Sequence, residues 1–252
     1  MLNVSIREIS IKNTLQEKIL LHDIQFSLPE NKIYTIVGKN GTGKTTLIKS
    51  LTKLLADKYY NVKGEVYLNE KNLLLLNPKE LNKIREEKIK YALQDASNCF
   101  DPLKNLGFYF KKFAKNKNDI DEYLYYFQLP NHENLFKLHP YEISGGMNQR
   151  VSIVLSLLSN PEIIILDEPN SAIDPSITNL LIYKLKEFAA KNNNSVLLIT
   201  QDLPFAEKIS DKIAYLGSQT LTSFVEPSEF YEIENEEIKH FLEPSLRLSY
   251  HE

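Results

Sequence analysis

Gly38-Lys39-Asn40-Gly41-Thr42-Gly43-Lys44-Thr45-Thr46 fits the pattern G-x-x-x-x-G-K-[ST]. Ile33-Tyr34-Thr35-Ile36-Val37 precedes it, short, β-branched and apolar, and Leu47 to Leu55 follows with apolar residues at helical spacing. A strand before the motif and a helix after it separate a phosphate-binding loop from a chance match. Gly38, Gly41 and Gly43 let the backbone turn tightly and bring bare N–H groups against phosphate oxygens. The intervening Lys39, Asn40 and Thr42, with Thr46 after, complete the cradle. Lys44 is expected to reach the β- and γ-phosphates, and Thr45 to give its hydroxyl to Mg²⁺.

Outward from this loop, Leu2 to Ile11 alternate apolar and polar residues as a half-buried strand does, and Ile24 to Leu28 repeat the pattern before a turn at Pro29-Glu30-Asn31. Lys63 to Asn69 reads as a turn and strand, residues 79–87 as a helix, and Ile89 to Leu93 as a strand ending at Gln94. From about 95 to 150 the chain becomes helical and aromatic, with Phe108, Phe110 and Phe113 among lysines, the aromatics forming a small core of their own. Residues 144–159 form a helix capped by Ser144. Ile163-Ile164-Ile165-Leu166-Asp167-Glu168 is an apolar strand ending in two carboxylates. Residues 175–191 read as an amphipathic helix, Ser195 to Thr200 as a buried strand, and 211–225 as two short strands before an acidic helical tail. Strands alternating with helices imply an α/β chain with a mostly parallel sheet covered on both faces.

An Asp at the carboxyl end of a buried parallel strand points into the crevice where such sheets bind ligands. Asp167 is therefore placed to hold Mg²⁺, and Glu168 to orient or deprotonate an attacking water.

The 252 residues are enough to bury a sizeable core, and the net charge of −3 gives no electrostatic reason to expect nucleic acid as a partner. No basic segment followed by an apolar core suggests secretion, and no apolar run approaches the roughly 20 residues of a membrane span. Cys99 is the only cysteine, which precludes an internal disulfide and fits a reducing cytosol.

Ser144-Gly145-Gly146-Met147-Asn148-Gln149-Arg150 brings a family into view. The chain resembles the nucleotide-binding subunit of an ABC transporter, in the oligopeptide/nickel importer branch, over nearly its whole length. The seven-residue stretch matches the ABC signature in the SGGM-x-QR form of that branch, preceded by Tyr141-Glu142-Ile143. Phe100-Asp101-Pro102-Leu103 and Gly107 continue the branch pattern.

The resemblance implies a RecA-like P-loop ATPase core (1–94 and 151–252), an N-terminal antiparallel β subdomain and an inserted helical subdomain at about 95–150. It implies ATP and Mg²⁺ as cofactors. Ser144, Gly145, Gly146 and Gln149 serve the ATP held by a partner subunit, so that two subunits sandwich a pair of nucleotides. Gln94-Asp95 resembles the Q-loop, whose Gln contacts Mg²⁺ and water, and Ser171-Ala172-Ile173-Asp174 resembles the D-loop. The implied partners are a second ABC ATPase subunit, two transmembrane permease subunits and, indirectly, an extracytoplasmic solute-binding protein. The implied location is the cytoplasmic face of the cell membrane, and the implied role is driving import of oligopeptides, nickel or a metal–chelate complex. The competing readings are a soluble ABC ATPase without a transporter and a regulatory, non-hydrolysing module. The first usually carries a coiled-coil insertion or a second ATPase domain, and Lys44 and Glu168 argue against the second.

Two departures from the family pattern matter. The family ends the strand at 195–200 with a His that contacts the γ-phosphate, and Gln201 stands there instead. Gln can hydrogen-bond but carries no charge. The departure implies an own ATP site that is slow or mainly binding, beside a better-equipped partner in a heterodimer; adequate substitution by Gln201 stays open. The aromatic that usually stacks on adenine is also missing. Leu15 falls near that position and residues 1–25 contain no Tyr, Phe or Trp, which implies weak discrimination between ATP and GTP.

Overall fold

A computed structural model describes residues 1–12, 17–94 and 96–249. In chain order the elements are β1 (Leu2–Ile11), β2 (Lys18–Leu28), β3 (Lys32–Val37), α1 (Lys44–Ser50), β4 (Tyr60–Leu68), β5 (Lys71–Asn72) and α2 (Pro78–Glu87). Then come β6 (Ile89–Ala92), α3 (Leu106–Phe113), α4 (Ile120–Tyr126), α5 (His132–Leu135), α6 (Gly145–Leu158), β7 (Ile163–Asp167) and α7 (Pro175–Ala189). The chain closes with β8 (Ser195–Thr200), α8 (Leu203–Ile209), β9 (Lys212–Gly217), β10 (Thr220–Leu221), α9 (Pro227–Phe230) and α10 (Glu236–Ser249). Two compact units result, Met1–Asn82 with Ile199–Glu252, and Lys83–Leu198. No helix among the described residues is long and apolar enough to cross a membrane.

In the first unit an antiparallel sheet runs in the order β2-β1-β4-β5. Leu2, Val4 and Ile6 of β1 are buried alternately, as a strand of period two requires. The alternation then slips, because the pairing with β4 shifts register between Ile6 and Glu8. Gly64 lies opposite Ile6 at φ 146°, and a Cβ there would stand 2.3 Å from the Ser5 carbonyl oxygen. The turn expected at Lys63-Gly64 is therefore a bulge inside one continuous strand: glycine allows the two backbones to approach where they would otherwise collide.

The same unit carries β3 and β9 in parallel, with Tyr34 opposite Lys212 and Val37 opposite Tyr215, and β10 returning antiparallel to β9. Val37, Leu203, Ala206, Ile213, Tyr215, Phe230, Ile238 and Leu242 form a buried cluster that seats α8, α9 and α10. The helix after the phosphate loop is shorter than its apolar spacing suggests: α1 stops at Ser50, and Lys53, at φ 53°, ends the turn with Leu54 N donating to Lys49 O at 2.8 Å.

In the second unit β6 and β7 pair in parallel, from Ile89 opposite Ile163 to Ala92 opposite Leu166, and β7 is flanked on its other side by β8. Every residue of β7 is buried, which explains its unbroken apolar run. The helices α3 to α6 fill the connection between β6 and β7. Phe110 and Phe127 are fully buried among them, and Phe110 stacks on Phe136 with centroids 5.0 Å apart. Phe108, by contrast, is 43% exposed.

Candidate functional site

The phosphate loop leaves β3 at Val37 and enters α1 at Lys44. Gly41 and Gly43 take φ of 81° and 100°, the left-handed region that glycine occupies without strain. At Gly38 a Cβ would meet the Leu216 carbonyl oxygen at 2.5 Å, so the start of the loop depends on contact with β9. Lys39, Asn40 and Gly41 are exposed; Thr42, Gly43, Thr45 and Thr46 are half-buried. Lys44 is only 6% exposed, and its Nζ donates to the carbonyl oxygens of Gly38 at 2.7 Å and Lys39 at 3.0 Å. The ammonium therefore lies inside the curl of the loop, where bound phosphate oxygens would be met by backbone N–H groups.

Gln201 belongs to the same unit as this loop and is exposed, directly after β8. The next residue fixes the local chain. Asp202 N donates to Thr200 Oγ1 at 3.0 Å, and Asp202 Oδ1 accepts from Phe205 N at 2.9 Å, capping α8. Leu203 packs in the cluster that contains Val37, the residue before the phosphate loop.

The second unit holds Gln94, Asp167, Glu168 and the signature stretch. Gln94 is exposed beyond the carboxyl end of β6; its neighbour Asp95 lies outside the described residues, as does Leu15. Asp167 ends β7 and is 2% exposed; Glu168 follows at 7%. Glu168 takes φ 46°, a conformation that costs a non-glycine residue on the order of 1 kcal/mol. Ser171 steadies it from below, its N and Oγ both donating to the Glu168 carbonyl oxygen, at 3.2 and 2.9 Å.

Ser144 caps α6, its Oγ accepting from Met147 N at 3.2 Å. Ser144 and Gly145 are exposed, and nothing lies within 4 Å of where a Gly145 Cβ would be. Gly146 is different: its Cβ would stand 2.5 Å from the Ala172 carbonyl oxygen, so the signature stretch and the 171–174 loop touch through backbone. Gln149 is 1% exposed, and its side chain is buried. Arg150, to which the motif reading gives no role, donates from Nη1 to the carbonyl oxygens of Phe127 at 2.9 Å and Gln128 at 3.0 Å, and from Nε to Gly146 O at 3.3 Å. No spacing in the sequence signals those carbonyl partners. Among the described residues no group of three or more His, Cys, Asp or Glu side chains gathers as a metal cage. Thr45 in the first unit, and Gln94 and Asp167 in the second, each carry a side-chain oxygen, the ligand chemistry of Mg²⁺ rather than of a softer metal.

The sequence pattern of the ABC transporter family matches residues 21–171. The oligopeptide transport ATP-binding protein OppD of Bacillus subtilis is 30% identical over 238 residues, covering 90% of this chain and 66% of the relative. The dipeptide transport ATP-binding protein DppD of Caldanaerobacter subterraneus is 31% identical over 211 residues, covering 80% and 64%. The metal-staphylopine import system ATP-binding protein CntD of Staphylococcus aureus is 26% identical, covering 98% of this chain and 95% of the relative. The chain thus spans just under two thirds of the length of the two peptide-transport relatives. A solved dimer of an ATP-binding cassette, in a post-hydrolysis state bound to ADP and phosphate, superposes with a TM-score of 0.75 at 24% identity, covering 90% of this chain and 99% of that one. That likeness establishes the fold.

Proposed function

The chain belongs to the ABC transporter family, and on that premise we propose that it is the ATP-binding and ATP-hydrolysing subunit of an importer for oligopeptides, nickel or a metal–metallophore complex. The relatives' names support the substrate class: oligopeptide and dipeptide transport on one side, metal-staphylopine import on the other. The observation that carries the reading is the phosphate loop, with its two left-handed glycines and its buried Lys44.

In this reading Gly38 to Thr46 hold the ATP phosphates through backbone N–H groups, with Lys44 turning from Gly38 O and Lys39 O to the β- and γ-oxygens. Thr45, Asp167 and Gln94 would hold Mg²⁺, which when bound neutralises charge on the phosphates. Glu168 accepts the proton of the attacking water, its carboxylate fixed by a backbone that Ser171 braces. Gln201 meets the γ-phosphate as a neutral hydrogen-bonding group, so this chain's own site turns over slowly. Ser144, Gly145 and Gly146 face nucleotide bound to a second ABC ATPase subunit. Binding closes the pair, closure moves two permease subunits at the cytoplasmic face of the membrane, and hydrolysis reopens it. The residues at about 95–150 form the helical subdomain, inserted into a core of 1–94 and 151–252.

The test is Mg²⁺-dependent ATP hydrolysis by the chain alone and with its candidate partner ATPase, together with copurification from membranes. Turnover in the mixture, loss of nucleotide binding in Lys44→Ala, and recovery with a polytopic membrane protein support the reading. ATP binding without any membrane partner would favour a soluble ABC ATPase instead.

A further inference from the structure

Helix α4 is held from two sides. On one, Arg150 of the signature stretch forks onto the carbonyl oxygens of Phe127 and Gln128, which end α4, while its Nε reaches Gly146 O in the first turn of α6. On the other, α4 presents Tyr123 and Tyr126, one helical turn apart, to α7. Lys184 of α7 places its ammonium 4.8 Å from the Tyr123 ring centroid and 5.1 Å from that of Tyr126. Its Nζ also donates to Glu187 Oε2 at 2.9 Å, and the Tyr126 hydroxyl donates to Leu180 O at 3.1 Å.

The Lys184 side chain is only 11% exposed, which is rare for a lysine. An unbranched apolar side chain would fill the same space without desolvating a charge. Glu187, three residues on in α7 itself, offsets part of that cost whatever the spacing, and the two ring faces of α4 offset the rest only while α4 and α7 keep theirs, so the charge makes the contact sensitive to geometry. The chain of contacts also closes on itself. From α7 the backbone runs back through Asp174 to Ala172, whose carbonyl oxygen lies against Gly146 in α6.

We propose that Lys184 is a positioning residue: by clasping Tyr123 and Tyr126 it fixes α4, and through Arg150 it sets the placement of the first turn of α6. This rests on the proposed function for its consequence, that the first turn of α6 engages nucleotide, but not for its mechanics.

Hydrogen exchange of the intact chain reads the mechanics without nucleotide. In Lys184→Met, which keeps the stem, the amides of Met147, Asn148 and Gln149 should exchange about tenfold faster, with β3 and α1 unchanged. Lys184→Arg should restore them. The double variant with Arg150→Met should be no faster at these amides than Arg150→Met alone, because both act through α4. Acceleration confined to α4 and α7, acceleration everywhere in the chain, or additive effects of the two substitutions would each overturn the proposal. If Lys184→Met does not fold, Tyr126→Phe removes only the hydroxyl on Leu180 and should give a smaller acceleration at the same α6 amides; none would overturn it. In ATP turnover, Lys184→Met should lower kcat while KM stays unchanged, since the phosphate loop is not part of the clasp. A wild-type protein without turnover would count against the ATPase reading and leave the exchange result standing.

Discussion

Gly146 and Ala172 meet backbone to backbone: a carbon added at Gly146 would lie 2.5 Å from the Ala172 carbonyl oxygen. Neither partner has a flexible end that could swing away. The second glycine of the signature is thus required by packing, and the first, Gly145, is not, since open space surrounds its Cβ position.

Gly146→Ala should therefore destabilise the protein by about 1–3 kcal/mol, as overpacking does. Gly145→Ala should leave stability unchanged or slightly raised, because alanine favours helix, while lowering turnover by crowding the nucleotide proposed to sit against it. Thermal melts of both variants beside ATP turnover check the contrast; equal melting temperatures would contradict it.

At the phosphate loop, Gly43→Ala forces an alanine to φ 100° and brings its methyl 3.1 Å from Leu21 Cδ2. The loop must distort to relieve both, and nucleotide affinity should fall at least roughly tenfold, the equivalent of about 1.4 kcal/mol. Titration with a fluorescent ATP analogue measures this directly.

Gln201→His should raise turnover of the isolated chain by about tenfold or more without changing KM, because the added group can carry charge near neutral pH and acts after nucleotide is bound. Unchanged turnover would mean that Gln201 is an adequate substitute and that the two sites of the proposed dimer need not differ.

Lys90 offers a pH test. It lines a hollow of about 210 Å³ with Phe113, its ammonium 4.4 Å from that ring centroid. Burial pulls its pKa down to about 8, a shift that nearby Glu86 only partly opposes. A lysine held below its unfolded pKa of about 10.4 costs stability in full below pH 8, and the cost fades as pH rises between the two values. Lys90→Met should be more stable than wild type at pH 7, by about 1 kcal/mol after allowing for the solvent that still reaches the site. That corresponds to roughly 2–4 °C in Tm, and the advantage should vanish near pH 10.5. A difference in Tm that does not change with pH would attribute the effect to packing alone.

What the sequence discloses are the contiguous features. The loop from Gly38 to Thr46, the buried run of β7 ending at Asp167, and the cap at Ser144 each sit within about ten residues, and local chemistry dictates them. The contacts that join distant segments are not written locally. Arg150 seeks carbonyl oxygens more than twenty residues back, left open by the end of α4, and any helix end offers such acceptors. Lys184 reads as one more solvent-facing lysine until α4 is folded against α7. Gly64 reads as a turn because glycine more often marks one, and only the pairing of β1 with β4 reveals the bulge.

That bulge breaks the alternation of β1: even-numbered Leu2, Val4 and Ile6 are buried before it, and after it Ile9 is buried together with its neighbour Ser10. Deleting Arg7, the residue without a partner across β4, would put the far half back in phase with the near half and turn Ile9 out to water. Against β4 the strand's reading frame is thus set by a single residue, and length changes at its middle should be far less tolerated than at its ends.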